Sequence, residues 1–336
     1  MIGSSNAVEY VYAKTSGMLS KSFVGSRANR LFQSKNLAEL WQIVFQNTAP
    51  ALPENLLAKS IEKEAENRFV KEYISLIDLF EKPEPVSLQF LRSFDYSNIK
   101  KINLSLRNNE KMLPEINDIG RFSQINYKAW PEISKMTSKG CFSWFTDIAD
   151  STDIKKFENK LDIQYVVELW DAVQKSKGEE KLAIEALIKE KLILSNIVWA
   201  LRLKLYYNME AEEIIPYLAG STFNPEKKDV LIAPVLKILD KKLDSYSDWS
   251  SWEYAEMLNP ADNADSWIID PRYLQRSANK KVHKTALRMF HKFPCSSVVL
   301  VPWFLIRQME FDYICTAVEG LRLDSDVDKI KEYAGV

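Results

Sequence analysis

Residues able to do chemistry are scarce in this 336-residue chain. Its two histidines, His283 and His291, stand in "VHKTALRMFHKFPC", and Cys295 follows the second by four residues. On a helix His291 and Cys295 would face one way, as zinc ligands do. A tetrahedral site needs two further donors, and His283 lies two turns away. The pattern points to structural residues beside a basic helix end, with no metal. Carboxylate pairs such as Glu179–Glu180 and Glu212–Glu213 fall where a solvated helix face or first turn would put them. The phosphate cradles GxxxxGK[ST] and GxGxxG are missing, as are the GxSxG elbow and the HExxH helix. A catalytic constellation is nearly absent and no cofactor is expected, while a helical enzyme with dispersed carboxylates stays an open alternative.

What remains to be positioned is a framework, and composition says that it is helical. Nine glycines and thirteen prolines are roughly half the usual share of about 12%. Leu, Ile, Glu, Lys and Ala, all good or tolerated helix formers, fill the space between. The 45 basic and 46 acidic residues are interleaved, so no electrostatic footprint for nucleic acid or an acidic lipid surface is present. The most apolar run, "VVLVPWFLI" from Val298 to Ile306, is far shorter than the ~20 residues that cross a bilayer. A basic, then apolar, secretory leader is absent from the start. Cys141, Cys295 and Cys315 are odd in number and isolated, which suits buried free thiols in a reducing cytosol.

The length implies two or three modules. The expected division is 1–115, 116–222 and 223–336. The first should hold an amphipathic segment over 8–45 and a charged helix over 56–80, set between the proline-marked breaks "NTAPALPEN" and "EKPEPVS". A helix over 90–108 closes it. The second centres on a helix over 182–208, where Ile184, Leu187, Leu194, Val198, Leu201 and Leu205 recur at the three- and four-residue steps of one buried face. At 1.5 Å per residue it would be roughly 40 Å long. The third holds a Trp-rich acidic segment around Trp249, Trp252 and Trp267, then a helix over 301–323. Those tryptophans suit either a local core or an interface anchor.

An internal repeat links the modules. Asp95, Ile99, Leu106 and Arg107 match Glu310, Ile314, Leu321 and Arg322 without a gap, while Asn196, Ile197, Leu201 and Arg202 match with a shift of a few residues. After the second and third of these helices, "IIPYLAG" and "KIKEYAG" both end on Ala-Gly, with Gly220 and Gly335 as expected helix stops. Asn208 and Ser325 are expected N-caps of these short helices, with Glu210, Glu212 and Glu213, or Asp326 and Asp328, favoured by the helix dipole. Asp95, Arg107, Arg202, Glu310 and Arg322 become the repeated structural or interface residues. The three arginines should each pair with a carboxylate inside their own module, or else be presented to a partner.

The segments "YAKTSGMLSKSFVGSRANRLFQSKNLAELWQIVF", "SNIVWALRLKLYYNMEAEEIIPYLAG" and "MEFDYICTAVEGLRLDSDVDKIKEYAG" together resemble the C-type subunit of archaeal and bacterial V-type (A/V-type) ATPases, the relative of the d-type subunit of the eukaryotic V-ATPase. The resemblance spans essentially the whole chain. It implies an all-α, pseudo-threefold funnel and a non-catalytic, monomeric adapter on the cytoplasmic face of the membrane. It also implies two partners, the central-stalk subunits of D and F type and the membrane proteolipid ring, whose proton or sodium transport is coupled to ATP hydrolysis or synthesis. The single Gly220 in "AGSTFNPEKK" departs from the longer glycine-rich turn usual there. A helical solenoid scaffold is the rival reading, and would show a uniform period of ~34 to 47 residues instead of a third of the chain.

Overall fold

The computed structural model of the chain describes residues 4–149, 153–258, 267 and 269–335. Fourteen α-helices and no strand are found among the described residues. The N-terminal part holds α1 (Ser4–Leu19), α2 (Asn29–Phe32), α3 (Leu37–Phe45) and α4 (Glu54–Ile77), followed by α5 (Pro85–Arg107) and the single turn α6 (Ile133–Met136). The middle holds α7 (Ile154–Lys175), α8 (Lys181–Tyr207), α9 (Ala211–Ile214), α10 (Ala233–Leu239) and α11 (Tyr246–Trp249). The chain ends with α12 (Pro271–Lys292), α13 (Leu300–Arg322) and α14 (Val327–Ala334).

The amphipathic segment expected over 8–45 is broken into α1, a 3-10 turn, α2 and α3. Its interruption has a local cause. Asn36 accepts the Glu39 N–H at 2.9 Å while the Glu39 carboxylate accepts the Lys35 N–H at 2.8 Å. This capping exchange starts a new helix instead of continuing the old one. Elsewhere proline and carboxylate work together: Glu84 caps α5 by accepting the Ser87 N–H, and Pro85 occupies the first helical position.

Six long helices pair in sequence as α4 with α5, α7 with α8, and α12 with α13. The second helix of each pair also packs on the first helix of the following pair: α5 on α7, α8 on α12, and α13 back on α4. The packing therefore closes a circuit from the end of the chain to its beginning. The α13–α4 joint is filled at one end by rings. Trp303 stacks on Tyr73 at 5.9 Å, and Phe304 sits between Phe69, Tyr73 and Phe90 at 4.7–5.0 Å. At the other end Ile314, Ala317 and Val318 meet Leu57, Ile61 and Ala65 in an apolar cluster separate from the main core.

The three helices matched by sequence stop in a related way. Asn109, Asn208 and Asp324, with φ of 56°, 51° and 47°, follow α5, α8 and α13. Asn and Asp are the residues that enter this left-handed region most readily after glycine. Asn208 is thus the stop of α8 and not an N-cap. Glu210 opens α9 in a reciprocal capping box with Glu213. Asp326, not Ser325, caps α14 by accepting the N–H groups of Asp328 and Lys329. Gly335 ends α14 at φ 76°, whereas Gly220 has no positive φ. A Cβ at Gly220 would fall 2.4 Å from the Pro225 ring, so that glycine permits a close approach.

Candidate functional site

Each of the three matched helices carries a buried polar side chain that grips the backbone of a distant segment. On α5, Asp95 is fully buried and accepts the Gln124 N–H at 2.7 Å, the Ser123 hydroxyl at 2.9 Å and the Tyr127 hydroxyl at 3.0 Å. Burial pushes the Asp95 carboxyl upward, opposed by these donors. One turn on, the Asn98 amide donates to the Asn117 carbonyl at 2.8 Å and accepts its N–H at 3.0 Å. Asn196 on α8 does the same to Ala219, donating to its carbonyl at 2.8 Å and accepting its N–H at 3.0 Å. A primary amide reproduces a backbone donor–acceptor pair, so it can replace a missing strand partner within a helical protein.

The α13 version is ionic. Glu310 accepts the Phe23 N–H at 2.7 Å across 287 residues. Its other oxygen meets Arg307, whose second nitrogen reaches Glu72 on α4 at 2.7 Å. Arg307 and Glu310 are 8% and 5% exposed, so the pair is held in a low dielectric. Burial raises the Glu310 carboxyl, while Arg307 pulls it back. A cleft of about 640 Å³ opens beside this joint between α1, α3, α4 and α13.

The five repeated residues do not converge on one pocket. Asp95 and Glu310, matched by register, are both buried carboxylates that accept a remote backbone N–H. Arg107 and Arg322 are the last residues of α5 and α13, where a cation complements the helix dipole. Among the described residues, none of the three arginines has a buried carboxylate partner. Arg322 pairs with Glu319 of its own helix at 3.1 Å, both nearly half exposed, and such a pair contributes below ~1 kcal/mol. Arg107 and Arg202 have no ion pair among the described residues. Arg202 also lies five residues before the end of α8 and borders a groove of about 320 Å³ with Arg272 and Arg276. Aligned on the Asn98 and Asn196 clasps, Arg202 falls opposite Leu104, not Arg107.

Asn98 was not anticipated from the sequence. Its signal is present there all the same: the tripeptide Ser-Asn-Ile occurs at 97–99 and again at 195–197. The tryptophans resolve toward the core, with Trp249 and Trp267 buried, Trp252 partly so, and the intervening residues 259–266 outside the described ones. No cluster of three or more metal-binding side chains occurs among the described residues. Burial lowers His283 to about 4, which suits a neutral structural imidazole. The cysteines differ from the expectation of uniformly buried thiols. Burial pushes Cys141 and Cys315 up to about 12, while Cys295 is exposed.

Long paired helices thus carry buried polar clasps that hold the segments following them, beside polar grooves. A family model described as ATP synthase (C/AC39) subunit matches residues 11–333, and the chain belongs to this family, whose members are structural subunits of V/A-type ATP synthases. It is 23% identical over 326 residues to an uncharacterized protein of Treponema pallidum (strain Nichols), covering 97% of this chain and 96% of that one. No helix among the described residues is long and apolar enough to cross a membrane.

Proposed function

We propose that this protein is the adapter between the rotating central stalk and the membrane proteolipid ring of its ATPase. The observation that carries the reading is the closed circuit of helix pairs, α5 on α7, α8 on α12 and α13 on α4. Three similar modules, 1–115, 116–222 and 223–336, would each contribute one pair to a ring-shaped wall. Such a wall offers two unlike ends. One receives stalk subunits of D and F type, and the other sits on the ring at the cytoplasmic face. Torque from ATP hydrolysis then reaches the ion-carrying ring, or ring rotation reaches the stalk during synthesis. Stiffness is the physical requirement, and long helices tied by buried hydrogen bonds supply it. Arg107 and Arg322, at helix ends without a buried acid, are presented to a partner on this reading.

The test is co-purification. Affinity-tagged chain, recovered from detergent-solubilised membranes, should bring down the stalk and proteolipid subunits together. Recovery with neither of them removes the adapter role. Isothermal titration with ATP should give no binding, since the chain has no phosphate cradle.

A further inference from the structure

We propose that the groove along α1, α3, α4 and α13 receives an extended, acidic segment of a partner protein, anchored by an apolar side chain. The groove consists of two contiguous cavities, of about 640 Å³ and 560 Å³, which share Ser20, Lys21, Phe23 and Gln46. Each lies in the range of a ligand-sized site, and together they form a trough suited to a run of peptide.

Charge selects the occupant. On the floor of the larger cavity, Glu72 and Glu310 are tied to Arg68 and Arg307, so that part is balanced. Lys14 and Lys21, contributed by α1 and the turn after it, enter no ion pair among the described residues. The second cavity adds Arg27 and Arg30 against the single acid Glu39. The surplus is cationic over the whole length. Lysine and arginine rims of this kind attract carboxylates and steer their approach.

Two further features point to a bound segment. Phe23, Phe45, Phe69 and Phe311 line the larger cavity, so a partner's aromatic or aliphatic side chain would find apolar walls there. The Arg307 Nε donor is buried without a partner, although both terminal nitrogens of the same guanidinium are used. It is closed off as the side chain stands, so a carbonyl or carboxylate oxygen in the cavity would satisfy it once the guanidinium turned toward that oxygen.

Gly17 provides a clean block. It borders the larger cavity from α1, and an added Cβ meets nothing within 4 Å. Its φ is not in the left-handed region, so Gly17→Trp fills the cavity without backbone strain and should leave the thermal midpoint unchanged or raised. The experiment uses the full chain as bait for a phage-displayed random peptide library, with Gly17→Trp as counter-selection. The expected result is enrichment of sequences with Asp or Glu beside an aromatic residue. Synthetic versions should lose at least about tenfold in affinity on Gly17→Trp, the order expected for one lost anchor. They should also weaken on Lys21→Glu and in high salt. Failure to enrich, enrichment of basic sequences, or equal binding to Gly17→Trp overturns the proposal. The adapter reading would survive any of these outcomes, because co-purification tests it separately.

Discussion

The α5–α7 and α8–α12 joints differ from the α13–α4 joint in how they are held. At the first two, chain runs directly from one helix to the segment it grips. Neutral amides on α5 and α8 hold the segments that follow those helices (Asn98 on Asn117, Asn196 on Ala219), with Asp95 added at the first, while ion pairs cross the joints themselves (Lys100–Asp162 and Lys281–Glu190). At the third the gripped residue, Phe23, is 287 positions away, and the fastening is the Glu72–Arg307–Glu310 ion network with its own apolar cluster. Loop closure over so long a span carries a larger entropic cost, though the cost grows only logarithmically. The more deeply buried charge-assisted bond, Arg307 to Glu72, stands where the chain itself helps least. A ring-like circuit made from one polypeptide has one joint that must be closed by side chains alone.

The largest expected effect follows at that joint. Arg307→Ala leaves the buried Glu310 without its cation, while Glu72 keeps Arg68, and should cost about 3–5 kcal/mol. Urea melts of the purified chain read it directly, and a loss below that of the amide clasps would reverse the ranking. Asn98→Ala leaves a buried N–H and carbonyl unpaired and Asn196→Ala a partly buried pair, at about 1–3 kcal/mol for each mutation. Similar losses in the two would sharpen the equivalence of α5 and α8, and a large inequality would break it.

A smaller effect separates ionic from neutral fastening by pH. The folded Glu310 carboxyl is raised above its unfolded value by burial. Its favourable contribution is therefore complete below the unfolded pKa of about 4.3 and declines as pH rises through the folded value. Glu310→Gln keeps an acceptor for the Phe23 N–H and removes this titration. Melts from pH 4 upward should show a flatter profile than wild type, whereas Asn196→Ala should only shift the curve. The smallest effects are expected at the repeated arginines. Arg107→Ala, Arg202→Ala and Arg322→Ala should each change stability by less than ~1 kcal/mol. If Arg107 and Arg322 meet a partner, their loss should appear in stalk or ring binding instead.

Much of this was legible in the amino-acid order. The helices 182–208 and 301–323 are found as Lys181–Tyr207 and Leu300–Arg322, because long runs with a helical period leave few alternatives. The Asp95–Glu310 register was visible for the same reason. The breakup of 8–45 was harder, since the N-cap at Asn36 interrupts a pattern that stays amphipathic across it. Arg322 pairs inside its own module, with Glu319, but no acid is found for Arg107 or Arg202 among the described residues, because spacing alone does not reveal which way a helix-end side chain leaves the core. The gripped residues Asn117, Gln124 and Ala219 lie 19 to 29 residues from their gripping side chains on α5 and α8, beyond any local pattern.

Cys295 is exposed in the connection between α12 and α13, while Cys141 and Cys315 are partly buried thiols held in the protonated form. Thiolate is the reactive species, so a maleimide dye at neutral pH will attach almost only at Cys295. The molecule thus arrives with a single chemical handle, and on the adapter reading proposed above a fluorophore or bead fixed there would turn with the protein. Angular steps of an assembled complex could be watched under the microscope without introducing or deleting a cysteine.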